Sequence, residues 1–142
     1  MIDPQNPVVK LCAAGMQAEA EGQFDKAYDL FEQAWMTSQD DYERCVAAHF
    51  VARQQDDPQQ MLHWNLEALA QAESVADERV QSFYPSLYLN LGFSYETLGN
   101  RVEARRHYEQ AAQRLDVLPS DPYGDTVRDG VTRGLARTAS VE

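Results

Sequence analysis

Residues 92–111 read GFSYETLGNRVEARRHYEQA, and this stretch decides the fold because an earlier stretch, residues 15–34, repeats its spacing. Counted from the first glycine, small or aromatic residues follow at the same four offsets in both stretches. The second stretch has Gly92, Gly99, Ala104, Tyr108 and Ala111; the first has Gly15, Gly22, Ala27, Phe31 and Ala34. Matching chemistry at matching offsets predicts an internal repeat of one supersecondary unit.

The spacing of the repeat has a direct physical reading. Gly15 leaves room on the first helix for close approach of a second helix, whose large Phe31 fills the space opposite. Gly22 is suited to end the first helix, because glycine adopts the left-handed conformation at little cost. Each unit is therefore predicted to be two antiparallel helices joined by a short turn.

The repeat resembles the tetratricopeptide repeat, whose pattern is Trp-x2-Leu-Gly-x2-Tyr, then Ala-x3-Phe, then Ala and Pro. The later repeat carries most of that pattern, with Tyr88 at the tryptophan position, followed by Leu91-Gly92, Tyr95, Gly99, Ala104, Tyr108 and Ala111. The first repeat keeps the glycines, Phe31 and the two alanines, but it has Ala14 and Ala18 where the family pattern has larger or aromatic residues. The two units cover about half of the chain. The resemblance implies an all-α, right-handed stack of helix pairs, an α-solenoid.

The remaining chain is divided by the same offsets. We expect one domain over 1–142, with helix pairs at about 8–41, 42–84 and 85–118 and a capping helix at about 124–137. The middle pair matches the repeat weakly, but Asp57-Pro58 has the form of an N-cap followed by proline at the first helical position. Residues 77–85 are expected to add turns to the next helix, with Pro85 kinking it.

The charge and the apolar pattern exclude several classes of function. Against 23 acidic residues the 142-residue chain has 12 basic ones, a formal charge of −11, which disfavours nucleic acid and anionic membranes as partners. No segment approaches the roughly 18 consecutive apolar residues of a membrane span. The N-terminus does not read as a signal peptide, so we expect a cytoplasmic protein in which Cys12 and Cys45 are buried thiols.

The chemistry-bearing residues form no catalytic motif. We find no Gly-x-Ser-x-Gly, no glycine-rich phosphate loop and no His-Glu-x-x-His, and therefore expect no enzyme activity, no cofactor and no metal site. His107 is expected to be solvated, on the outer surface of its helix.

The middle pair places polar residues where the other pairs have glycine and an aromatic ring. His49 stands at the glycine position and Asn65 at the aromatic position, so they are expected to face each other. One reading is a hydrogen-bonded core pair, since an unpaired buried polar group is costly. The other reading is a polar pocket around these two residues with Arg53, Tyr84 and Tyr88.

The resemblance implies a concave groove lined by the first helix of each pair, where partners of this family usually bind. Transferred to this chain, the groove residues are Met16, Glu19, Val46, Phe50, Arg53, Leu89, Asn90, Phe93 and Glu96. The predicted function is a non-enzymatic scaffold that binds a protein or peptide segment, basic or amphipathic, through this groove. Two alternatives stay open: a ligand-sensing or signal-peptide-sensing regulatory domain that uses the polar pocket, and a groove closed by a second copy of the chain.

Overall fold

The computed structural model describes residues 3–75 and 78–139. Over these residues the chain is all-α, with no strand, which confirms the predicted all-α class. The described residues form seven α-helices: α1 (Pro7–Ala20), α2 (Phe24–Thr37), α3 (Asp41–Arg53), α4 (Pro58–Ser74), α5 (Tyr84–Thr97), α6 (Arg101–Ala112) and α7 (Pro122–Arg137). Two short 3-10 helices, Glu78–Phe83 and Leu115–Val117, precede α5 and follow α6.

The chain divides into two compact units, Met1–Arg79 and Val80–Glu142. In the first unit, α1 packs on α2, α3 packs on both, and α4 packs on α3. In the second unit, α5 packs on α6, and α7 packs on both. Packing between helices that follow one another in the chain is consistent with a helical repeat.

Both repeat glycines at the turns adopt the predicted left-handed conformation. Gly22 has φ of 76° and Gly99 has φ of 82°. The backbone N–H of Gln23 bonds the carbonyl of Ala18 at 2.8 Å, and Asn100 bonds Tyr95 in the same way at 2.9 Å. This is the Schellman pattern, in which glycine lets the chain reverse while the last carbonyls of the helix stay hydrogen-bonded.

The close approach of helices at the first glycine of each repeat is also as predicted. A Cβ atom built on Gly15 would lie 2.3 Å from the Phe31 ring, and one built on Gly92 would lie 2.6 Å from the Tyr108 ring. Both rings are fully buried. The absence of a side chain at these glycines is therefore what allows the second helix to pack with an aromatic ring against the first.

The helix starts agree with the sequence at Asp57 and differ at Pro85. Asp57 caps α4 by accepting a hydrogen bond from Gln59 N at 3.0 Å, with Pro58 in the first turn. The kink expected at Pro85 is wrong: α5 begins at Tyr84, directly after the 3-10 helix, so this proline also lies in a first turn. There its missing N–H has no intrahelical partner to lose. Asp77, expected to begin the added turns, lies outside the described residues.

Helix α7 lies over the last helix pair as the sequence suggested. Its Val127 and Val131 are buried in a cluster with Ala111 of α6 and with Leu118. A Cβ built on Gly134 would lie 2.5 Å from the ring of Tyr108. The small residues of α7 therefore allow it to approach α6 closely.

Candidate functional site

The first unit brings together three of the predicted groove residues at the ends of α1 and α3. The Phe50 ring stacks on Phe31, with centroids 5.2 Å apart and an interplanar angle of 17°. The guanidinium carbon of Arg53 lies 5.4 Å from the centroid of the Phe50 ring, and its Nη2 donates to Glu19 Oε1 at 3.0 Å. Arg53 therefore connects the end of α3 to α1 through an ion pair above an aromatic stack.

The other two predicted groove residues of this unit differ in accessibility. Met16 on α1 is 42% exposed, whereas Val46 on α3 is 2% exposed. Val46 thus belongs to the core beneath this face, and Met16, Glu19, Phe50 and Arg53 are the residues of this set that solvent can reach.

A cleft of about 470 Å³ opens beside this ion pair, between the α1–α2 turn and the end of α3. Its lining combines two aromatic side chains with charged and amide groups: Glu19, Phe24, Asp25, Tyr28, Arg53, Gln54 and Asp56. Phe24 is 62% exposed, which is unusual for a phenylalanine. We call these seven residues the turn cleft.

The charges of the turn cleft are unequally satisfied. Glu19 accepts hydrogen bonds from Arg53 and from the amide of Gln54, so its charge is balanced within the protein. Asp25 and Asp56 are exposed carboxylates on the rim. Tyr28 donates to Glu32 at 3.0 Å, and this hydrogen bond is the main cause of the raised pKa of Tyr28. Three carboxylates and one guanidinium leave the cleft with a net negative charge.

Sequence reasoning missed five residues of the turn cleft. Phe24 stands three residues before Ala27, so helical spacing assigns it to the buried stripe of α2. The structure leaves it exposed because it is the first residue of α2, where no neighbouring helix covers the side chain. Asp56 lies in the α3–α4 loop, where helical periodicity gives no direction to a side chain.

The residues of the predicted polar pocket are distributed over both units. In the first unit His49 lies on α3 and Asn65 on α4, and Asn65 is buried. Burial, and then the charge of Arg53, lower the pKa of His49 to about 4. Arg53 itself is engaged with Glu19 and the Phe50 ring.

His49 makes the stability of the first unit sensitive to mild acid. Its pKa falls from the ordinary 6.5 to about 4 on folding, so the unfolded chain binds more protons between these values. The folded state is therefore not penalised by His49 above pH 6.5, where the imidazole is neutral in both states. As the pH falls from 6.5 toward 4, protonation of His49 in the unfolded chain lowers the free energy of unfolding. We expect the free energy of unfolding of wild type to drop by about 1–2 kcal/mol more between pH 7 and pH 5 than that of His49→Gln.

Urea unfolding followed by tryptophan fluorescence measures this difference, since both tryptophans, Trp35 and Trp64, lie in the first unit. His63→Gln is the matched control, because His63 is an exposed histidine of the same unit. Parallel pH profiles for wild type and His49→Gln would show that burial of His49 does not govern the acid response.

In the second unit, α7 covers some of the residues of α5 that were predicted to line the groove. Leu89 lies within 3.0 Å of the place where a Cβ of Gly130 would stand. Glu96 accepts two hydrogen bonds from Arg137, at 2.8 and 3.2 Å, and one from the Tyr108 hydroxyl at 2.7 Å. Phe93 remains 50% exposed, and Asn90 is half-buried on the same helix. Leu89 and Glu96 therefore serve mainly to seat α7.

Glu96, Tyr108 and Arg137 form a hydrogen-bonded cluster in which the pKa of Glu96 is lowered and the pKa of Tyr108 is raised. Hydrogen bonds from Arg137 are the main cause of the lowered pKa of Glu96. Burial raises the pKa of Tyr108 to about 12, and its hydrogen bond to Glu96 adds to the effect. All three groups thus keep their usual protonation states at neutral pH, which maintains the ion pair that holds the end of α7.

Tyr84 and Tyr88, the remaining residues of the predicted pocket, belong to an aromatic cluster of the second unit. Their rings stack at 6.1 Å, and the Arg114 guanidinium carbon lies 5.7 and 4.7 Å from the two ring centroids. The Tyr88 ring centroid also lies 6.2 Å from that of His107.

The prediction that His107 is solvated is wrong. Its side chain is only 14% exposed, its ring stacks on Tyr95 at 4.9 Å, and Nδ1 is hydrogen-bonded to the carbonyl oxygen of Glu103 at 2.7 Å. The aromatic side chains of α5 cover this face of α6, which the repeat pattern had assigned to solvent.

The repeat extends further than the glycine pattern revealed. Glu19 and Glu96 stand at the same offset, four residues after the first glycine of each repeat. Each pairs with an arginine that is the last residue of the third helix, Arg53 of α3 or Arg137 of α7. The shared glutamate offset is a sequence signal that could have identified the ion pairs.

Other kinds of site receive no support within 3–75 and 78–139. No group of three or more His, Cys, Asp or Glu side chains there could hold a metal ion. Cys12 and Cys45 are free and buried, as predicted, and burial raises the pKa of each thiol to about 12. None of the described helices is both long and apolar enough to cross a membrane.

No protein-family model matches the chain, and no curated protein matches it either.

Proposed function

We propose that this protein is a non-enzymatic interaction module that binds a protein or peptide segment on the face of its first unit that carries the turn cleft. The observation that carries the proposal is Phe24, an aromatic side chain 62% exposed within a cleft of about 470 Å³. The lining of the cleft includes Glu19 and Arg53, which the resemblance had already assigned to a binding groove.

The chemistry of this face suits a peptide segment. Exposed apolar side chains, Met16 and Phe24, offer area for anchoring residues, and the charged rim offers hydrogen bonds that set the register. The negative charge of the chain and of the cleft favours a basic or amphipathic segment. Binding would consist of burial of side chains, with no turnover.

The proposal includes the finer architecture. We infer that the helix pairs are tetratricopeptide-like repeats in a right-handed stack with α7 as its cap, and that the protein is cytoplasmic. The left-handed Gly22 and Gly99 and the rings packed on Gly15 and Gly92 support the assignment of the repeats.

The ligand-sensing alternative has less support from the contacts. It requires Arg53 to face a pocket with His49 and Asn65, whereas Arg53 is engaged by Glu19 and lies over Phe50. Tyr84 and Tyr88 are likewise engaged with each other and with Arg114.

A selection from a random-peptide display library against the immobilised full chain tests the proposal. We expect enriched peptides to bind wild type with a Kd on the order of 1–100 µM, and Phe24→Ser to weaken them about tenfold or more by removing an exposed anchor. Met36→Ser is the matched control, since Met36 is 79% exposed on the same helix and outside the cleft.

Equal affinity of Phe24→Ser and wild type would place the site elsewhere, and the absence of any enriched peptide would contradict the proposed function. Light scattering on the same samples distinguishes peptide binding from the third possibility, self-association, because a dimer closed over this face would dissociate in Phe24→Ser.

A further inference from the structure

The two units differ at one position that bears on the turn cleft. Nine residues after the first repeat glycine, the first unit has Phe24 and the second has Arg101. The Arg101 guanidinium donates to the backbone carbonyl of Ala139, two residues beyond the last residue of α7. In the second unit, therefore, an arginine side chain lies between the helix turn and the end of the third helix.

The corresponding place in the first unit is the turn cleft. Its walls are again the turn, with Phe24, and the residues that follow the third helix, Gln54 and Asp56 after α3. The first unit has Phe24 where the second unit has Arg101. The arginine that does line this cleft, Arg53, is already paired with Glu19. The cleft thus has the surroundings of a guanidinium site at a place where the repeat supplies phenylalanine.

The surroundings of the cleft favour a cation. The C-terminal end of α3 carries the partial negative charge of the helix dipole, and Asp25 and Asp56 add exposed carboxylates. The exposed Phe24 ring offers a face on which a planar cation can stack. Guanidinium fits this combination better than ammonium, because it is planar and donates hydrogen bonds in a fixed fork.

We propose that the turn cleft receives an arginine side chain of the bound segment. The guanidinium stacks on Phe24 and pairs with Asp25 and Asp56, in the place that Arg101 occupies within the second unit. This inference rests on the proposed function and adds the chemical identity of one anchoring residue of the partner.

Titration of the full ¹⁵N-labelled chain with N-acetyl-arginine methylamide tests the inference by NMR. We expect chemical-shift changes at the backbone amides of the turn cleft, with millimolar affinity. The neutral isostere N-acetyl-citrulline methylamide should cause changes several times smaller, and added salt should weaken the arginine probe. The double variant Asp25→Asn/Asp56→Asn should bind the arginine probe about three- to tenfold more weakly, since each exposed ion pair contributes only modestly to affinity.

Asp25 and Asp56 are exposed, so the double variant is expected to fold, and its NMR spectrum verifies this. Equal shifts with the citrulline and arginine probes would overturn recognition of a cation. Equal binding of a lysine analogue would overturn the stacked guanidinium, and shifts outside the turn cleft would overturn the location. Selected peptides that bind wild type without needing arginine would contradict this inference alone, whereas the absence of any selected peptide contradicts the proposed function.

Discussion

Replacing Gly15 with alanine will destabilise the first unit by about 2–3 kcal/mol, although alanine is the better helix former. The added Cβ would lie 2.3 Å from the Phe31 ring. That ring cannot move away, because it is fully buried and stacks on Phe50. Helix α1 would have to separate from α2, and packing around the ring would be lost.

A double-mutant cycle with Phe31→Leu isolates the cause. Phe31→Leu alone should cost about 1–2 kcal/mol, but it removes the ring that the new Cβ meets. The double variant should therefore be more stable than the sum of the single changes predicts, by about 1–2 kcal/mol. Urea unfolding followed by tryptophan fluorescence reports on this unit, which holds both Trp35 and Trp64. Strict additivity would contradict the contact between Gly15 and Phe31.

The second large effect concerns two glycines of α7 that lie one helical turn apart. Gly134→Ala will destabilise the second unit by about 2–3 kcal/mol, because its Cβ would lie 2.5 Å from the Tyr108 ring. The ring is also in contact with Gly92, and its hydroxyl is hydrogen-bonded to Glu96. Any shift of the Tyr108 ring away from the new Cβ would therefore disrupt its contact with Gly92 and its hydrogen bond to Glu96 on α5.

Gly130→Ala is the matched control in the same helix. Its Cβ would lie 3.0 Å from a terminal methyl of Leu89, which can rotate, and alanine improves helix propensity. We expect a change below about 1 kcal/mol. Hydrogen exchange of the α7 amides compares the two variants directly, with lower protection in Gly134→Ala. Similar protection in both would mean that α7 does not depend on its contact with Tyr108.

The repeat was predictable because its features are local or periodic. Gly22 and Gly99 are required by a left-handed backbone position within a single turn, and glycine at such a place can be recognised without knowing what surrounds it. The pairing of Gly15 with Phe31 follows from a fixed offset along one helix hairpin, which repeats with Gly92 and Tyr108. All-α architecture follows from the same spacing.

The candidate site was predictable only in part. Glu19 and Arg53 were named from the resemblance, and they do meet at the ends of α1 and α3. Phe24 was not named from the sequence, since its spacing from Ala27 is that of a buried helix position; its exposure depends on how far the neighbouring helices extend. Val46 was expected in the groove but is buried beneath it. Periodicity gives the face of a helix that a residue occupies and does not say which part of that face is covered.

By itself the sequence determined the all-α class, the positions of the turns and the two ring-on-glycine contacts, because each depends on residues within one helix hairpin. Only the tertiary structure decided which side chains stay accessible. His107 is enclosed by tyrosines of α5, Leu89 and Glu96 are used to seat α7, and the turn cleft is open beside Phe24. The physical reason is that exposure depends on neighbouring elements, which a helix's own periodicity does not record.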